Sequence, residues 1–181
     1  MLYNTCNVYC KDYSNQVFVK KWTDEDVKWY FRDGRRCSPF CEQELKNMFD
    51  NIWKPEKEKK GIDLIIDNCI IADVKCLTDS GCNVSKSIFQ GGGRDTNATD
   101  DLFAIPDDFL YIIPLARNWP FLEYVPLFAK TARSLLIKNK KGEYDGRINI
   151  EEFFEYKETL QHVNIKLDPW SEGLKNIRRD K

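Results

Sequence analysis

Apolar and polar positions along the chain fall into a helix-like first part, a strand-like middle and a mixed end. Thr23 followed by Asp24, Glu25 and Asp26 has the form of an N-cap with an acidic first turn, so a short helix is predicted near 24–33, with Gly34 as its stop. Ser38-Pro39 opens a second helix over 39–53, whose apolar residues Leu45, Met48, Phe49, Ile52 and Trp53 follow the helical period until Pro55. A charged run, Glu56-Lys57-Glu58-Lys59-Lys60, leads to Gly61 and two short apolar segments, 62–66 and 69–74. Asp67-Asn68 between them are turn residues flanked by β-branched runs, the signature of a hairpin. Residues 109–115 read as a buried strand, and Leu135-Leu136-Ile137 as a strand running into the turn Lys138-Asn139-Lys140-Lys141-Gly142. The pattern over 122–137 fits helix and strand alike. Asn149 caps a predicted helix that runs to about Gln161, and the tail over 170–181 is a terminal helix or frayed. This order predicts an α/β (α+β) class: one domain over 1–181, with a central mixed β-sheet flanked by helices.

Composition narrows the partners. The 181 residues are 42% hydrophobic and 31% charged, which excludes collagen-like and wholly disordered classes and leaves enough chain for one core. Lys and Arg total 28 against 29 Asp and Glu, a net charge of -1, so any affinity for a polyanion has to come from a local patch. No stretch approaches the roughly 18 apolar residues of a membrane span, and the start, Met1-Leu2-Tyr3-Asn4, lacks the basic and apolar regions of a secretory signal. The expected setting is intracellular: cytoplasmic, or nuclear or a viral factory for a eukaryotic or viral chain, with no membrane partner. Seven cysteines are an odd count, so reduced thiols are expected. The single histidine, His162, excludes multi-histidine metal sites and is read as an ordinary residue at a helix end.

The candidate chemistry sits in the hairpin. A strand puts alternate residues on one face, so Asp73 and Lys75 project together, and the partner strand can bring Asp63 alongside. Two carboxylates so close repel unless a hard divalent cation lies between them, and an oxygen donor set suits Mg2+ or Mn2+. Lys75 could orient an attacking water or stabilise charge developing on a phosphate oxygen. Asp26-Val27-Lys28 repeats the D-x-K letters, but it follows a helix cap among charged residues and reads as a solvated face. In the hairpin the acids interrupt two of the most apolar runs in the chain, where ionised groups are costly.

This arrangement resembles the PD-(D/E)xK nucleases, the restriction-endonuclease-like superfamily. Asp63 matches the family's Asp, with Ile62 where proline is common; Asp73 and Lys75 match its D/E-x-K, and Val74 the residue whose backbone carbonyl ligates metal. The helix over 39–53 stands where the family's leading helix should, offering Glu42 and Glu44; Glu42 points into the arc of Phe49 and Trp53, and Glu44 falls outside it. The resemblance implies a catalytic core over about 38–115, a C-terminal elaboration over about 116–181, and an Mg2+- or Mn2+-dependent endonuclease acting on DNA. The implied catalytic residues are Asp63, Asp73, Lys75 and Glu42, and the metal would be held by Asp63, Asp73, the Val74 carbonyl and Glu42, with Glu44 as the alternative. Lys57, Lys59, Lys60, Lys86, Gln90 and Arg94 could track nucleic acid. A palindromic duplex site would imply a homodimer.

Alternatives within that fold are a structure-specific or repair nuclease and a viral endonuclease cutting RNA. From another class comes a non-catalytic nucleic-acid or zinc-binding module built on Cys6, Cys10, Cys37 and Cys41, whose C-x-x-x-C spacing is weaker than C-x-x-C, so structural zinc is not favoured. The stretch from Asp145 to Phe153 looks like half of an EF-hand loop, but Lys141 stands at its first position, and a turn before a capped helix fits better.

Overall fold

Asp33, not Ser38, starts the long helix. In the computed structural model, which describes residues 2–16, 19–55, 62–77, 82–84, 105–138, 140–142 and 144–165, strand β1 (Asn7–Asp12) is followed by α1 (Asp24–Phe31) and α2 (Gly34–Met48). The Thr23 hydroxyl accepts from the Asp26 backbone N–H and the Asp26 carboxylate accepts from that of Thr23, closing a capping box on α1. Gly34 is therefore the first residue of α2 and not only a stop, because Asp33 caps it by accepting from the Arg35 N–H. Pro39 lies inside α2 instead of opening it. The helix is held by Cys37, Cys41, Leu45 and Met48, buried at four- and three-residue intervals on one face.

The predicted run to residue 53 is five residues too long. Phe49 leaves the helix with φ −131° and ψ 129°, and Ile52–Trp53 form the short strand β2. Asn51, buried at this corner, decides the path: it accepts from the Tyr3 N–H (2.6 Å) and donates to the Tyr3 carbonyl (3.1 Å) and to Asp67 (2.9 Å). One side chain thus ties the N-terminal arm and the hairpin turn to the end of α2. Asn51→Ala leaves these buried groups without partners and is expected to cost roughly 2–4 kcal/mol in urea unfolding; a loss below about 1 kcal/mol would show that water replaces the amide there.

The hairpin forms as the turn residues predict. Strands β3 (Leu64–Ile66) and β4 (Ile70–Val74) pair antiparallel, Ile66 with Ile70, across Asp67 and Asn68 at φ 52° and 60°. Two successive left-handed residues make a type I′ turn, which Asp and Asn tolerate best among non-glycine residues. After β5 (Cys82–Asn83) come β6 (Leu110–Asn118), β7 (Phe121–Phe128), α3 (Ala129–Ser134), β8 (Leu136–Lys138), β9 (Tyr144–Ile148), α4 (Ile150–Glu158) and β10 (Gln161–Ile165). The undecided stretch over 122–137 is thus strand, then one short helix, then strand. The EF-hand half resolves into β9 and a helix whose cap, Asn149, accepts from the Glu151 and Glu152 N–H groups. That helix stops at Glu158, so His162 lies in a strand and not at a helix end.

Seven strands form a mixed sheet in the order β10-β1-β7-β6-β4-β3-β2, in which β1–β10 and β4–β6 are parallel; β5-β9-β8 make a second, three-stranded sheet. On one face of the large sheet, α2 buries Cys41, Leu45 and Met48 against Leu64, Ile66, Ala72, Val74, Ile112 and Tyr124. The other face packs Tyr111, Ile113, Val125 and Leu127 against Cys82, Ala132, Ile148 and Phe153. The fold is a mixed sheet flanked by helices. Among the described residues no helix is long and apolar enough to cross a membrane.

Candidate active site

The site grows out of the central parallel pair. β4 and β6 run side by side with Asp73 opposite Tyr111, and the Lys75 N–H donates to the Ile112 carbonyl (3.0 Å) just past the end of β4. Ala72 and Val74 face α2, so Asp73 and Lys75 share the opposite face, where Lys75 Nζ lies 2.7 Å from Asp73 Oδ2. Asp63 arrives from the start of the hairpin: its N–H donates to the Ala72 carbonyl (3.0 Å), and its Oδ2 accepts from the Val74 N–H (2.8 Å). The Asp63 carboxyl lies close enough to that of Asp73 to raise it.

Asp73 is 2% exposed, and burial pushes its carboxyl up to about 7; Lys75 opposes this, while Asp63 adds to it. Cys82 on β5 lies close enough to feel both Asp73 and Lys75, and burial pushes its thiol up to about 12. Tyr111, beside Asp73, donates to the Val84 carbonyl (3.0 Å), tying the segment of β5 down next to the acid.

Glu42 and Glu44 go separate ways. Glu42 pairs with Lys54 (2.9 Å) at the edge where Asp63 enters, and its carboxyl is raised by burial, against Lys54 and with a contribution from Asp63. Glu44 Oε2 instead accepts from Lys11 Nζ (2.6 Å) and the Tyr13 hydroxyl (2.7 Å), turned away from the hairpin acids into a network with β1. Of the two, only Glu42 approaches the Asp63–Asp73 pair. In a strand the N–H and carbonyl of one residue point to the same side, so the Val74 carbonyl opens toward Asp63; Ser38 Oγ donates to it at 3.2 Å. Ser38 was legible only as a helix opener, and its contact with the strand depends on a helix that starts five residues earlier.

Lys57, Lys59, Lys60, Lys86, Gln90 and Arg94 lie outside the described residues, as does the tri-glycine segment 91–93. The four zinc candidates do not converge. Cys41 is buried on the α2 face, whereas Cys10 lies on the far face of β1 near Glu123 and Lys157, with the sheet between them. The Cys37 and Cys76 side chains pair face to face with their Cα atoms 7.6 Å apart, wider than a disulfide spans without backbone movement. The pairing joins α2 to the residue after Lys75, a meeting set by how the helix crosses β4 and invisible in Cys spacing. Among the described residues no cluster of three or more His, Cys, Asp or Glu side chains is shaped to hold a metal ion.

Compared with protein-family models, curated proteins and solved structures, the chain matches none. The site is therefore argued from its own geometry. It offers two neighbouring carboxyls, one of them deeply buried, an ammonium beside them and the Val74 backbone carbonyl: oxygen donors for a hard cation and a cation for an anionic oxygen.

Proposed function

We propose that this chain is a Mg2+- or Mn2+-dependent endonuclease of the PD-(D/E)xK type, hydrolysing phosphodiester bonds in DNA. One observation carries the reading: a buried Asp73 beside Asp63, with Lys75 at 2.7 Å on the same strand face. Buried acids raised by desolvation plus a specific charged partner are the environment from which functional sites are built.

The donor set fits the metal. Mg2+ takes one or two carboxylates and keeps several waters, so Asp63, Asp73 and the Val74 carbonyl suffice without a third acid. When bound, the cation would supply Lewis-acid polarisation of the scissile phosphate. Asp63 and Asp73 would offer it carboxyl oxygens, and the Val74 N–H fixes the Asp63 carboxyl in place. Glu42, near Asp63 but held by Lys54, supports the same corner. Lys75 is placed to donate to a non-bridging phosphate oxygen as charge develops there. In the overall change the oxygen of water forms a bond to phosphorus, the bond to the leaving 3′ oxygen breaks, and that oxygen takes a proton, leaving a 3′-hydroxyl and a 5′-phosphate. The reading carries with it an intracellular substrate and, for a palindromic duplex, a two-fold dimer.

Incubating supercoiled plasmid and single-stranded DNA with the purified protein tests this. Cleavage is expected with Mg2+ or Mn2+, none with EDTA, and a roughly 10²–10³-fold loss in Lys75→Ala, the scale of removing one donor to a developing oxyanion. Metal-independent cutting, cutting that survives in Lys75→Ala, or no cutting of either DNA overturns the assignment.

A further inference from the structure

Between α1 and the last part of β6, at Pro114 to Arg117, a cleft of about 860 Å³ opens. Its size falls in the range of about 300–1,000 Å³ typical of ligand clefts. Its lining includes Leu77, two residues beyond Lys75, so it adjoins the candidate site along the chain. Three cations also line it: Lys28 and Arg32 from the end of α1, and Arg117 from β6. All three are exposed. Asp24 is the one acid in the lining. In a chain of net charge -1, three positive charges against one is a marked local excess.

We infer that this cleft binds the phosphate backbone of a nucleic-acid strand flanking the scissile bond, with Lys28, Arg32 and Arg117 contacting phosphates. The inference rests on the nuclease reading for its direction, and on the placement of the charges for its substance. Arg117 is held in position by the Phe154 ring, 4.0 Å from its guanidinium carbon to the ring centroid, so its charge is presented with little ordering cost on binding. Arg32 caps α1, its N–H donating to the Lys28 carbonyl, which fixes both residues at the negative end of the helix dipole. The apolar wall does not read bases. Trp119 is already stacked with Tyr13 and with Trp22, at interplanar angles of 11° and 20°. A cleft with fixed cations and no stacking platform positions a backbone without reading sequence.

The test measures binding of a dye-labelled duplex of about 20 base pairs by fluorescence anisotropy over a range of salt concentrations, using the full chain carrying Asp73→Asn to prevent cleavage. Adding Lys28→Gln, Arg32→Gln and Arg117→Gln together is expected to weaken binding roughly 10–100-fold near 0.1 M salt and to flatten the slope of log K against log salt by about 2–3. Asp24→Asn, which removes the one acid and leaves the cations alone, should tighten binding, and it keeps the test decisive if the triple variant unfolds. Unchanged affinity and slope in the triple variant, no tightening in Asp24→Asn, or no binding by the parent overturns the inference. If the protein with Asp73 intact cleaves DNA yet the triple variant binds normally, the cleft falls and the nuclease stands. Binding lost in the triple variant of a protein that never cleaves leaves the cleft standing without the nuclease.

Discussion

Asp73→Asn is expected to abolish metal-dependent cleavage and, in the metal-free protein, to raise stability. The two effects share one cause. Asp73 is 2% exposed, and burial outweighs the attraction of Lys75, so its carboxyl is raised from 3.8 to about 7. Between those values the folded protein holds a proton that the unfolded chain has released, so stability falls as pH rises through this window, and the full penalty is present above it. Below about pH 4 both states are protonated and the penalty vanishes. Asn carries no charge at any pH. The variant should therefore match the parent near pH 4 and exceed it by roughly 2–4 kcal/mol near pH 8, measured by urea unfolding in EDTA. With Mg2+ present the order should close or reverse, because a ligand that binds the parent and not the variant stabilises only the parent. A gain that does not change with pH, or a variant less stable at pH 8, would show that Lys75 rather than burial dominates at this carboxyl. Loss of cleavage should reach about 10³-fold or more; a folded Asp73→Asn that still cuts DNA would remove the hairpin from the chemistry.

What could be read from the sequence was what local chemistry decides. The hairpin was legible because Asp67 and Asn68 take left-handed conformations that few residues accept, and because the β-branched runs on either side have no helical use. With the turn known, strand alternation brought Asp63, Asp73 and Lys75 to one place. The boundaries of α2 were not legible. Ile52 and Trp53 continue the helical period, yet Ile52 is apolar because it packs in a strand, and Trp53, 41% exposed, is not part of the α2 face at all. What ends the helix is Asn51 bonding to Tyr3, a contact across 48 residues that no local window contains. Strand β1 was missed for a related reason: it is a central strand with a buried lysine, Lys11, among its six residues, and its partners are β7 and β10, far along the chain. His162 was misplaced because the stop after Glu158 and the parallel pairing with β1 depend on that unseen strand.

The missed strand also explains where the Glu44 carboxylate turns. Lys11, 4% exposed, reaches from β1 to Glu44 (2.6 Å), which also accepts from Tyr13, whose hydroxyl lies 3.2 Å from that of Tyr124 on β7. Burial and the Glu44 charge both raise the Tyr13 hydroxyl, so it stays a donor at any ordinary pH. Lys11→Met leaves a carboxylate in this nearly closed space with the Tyr13 hydroxyl as its remaining donor in the network, and removing one partner of a buried pair costs about 3–5 kcal/mol. Lys11→Met combined with Glu44→Leu removes both charges and should recover most of that loss, since an apolar pair of similar volume is often as stable as the ion pair. Urea unfolding of the parent, the two single variants and the double variant measures the coupling directly. A double variant no better than Lys11→Met would mean that the loss comes from packing of the lysine stem against the Tyr13 ring, over which the ammonium sits at 4.7 Å, and not from the stranded charge. Cleavage separates this network from the site. Glu44→Gln should lower stability and leave the cleavage rate per folded molecule unchanged, because its carboxylate is turned away from Asp63. Glu42→Gln should lower the rate, because its carboxylate is the one whose charge reaches Asp63.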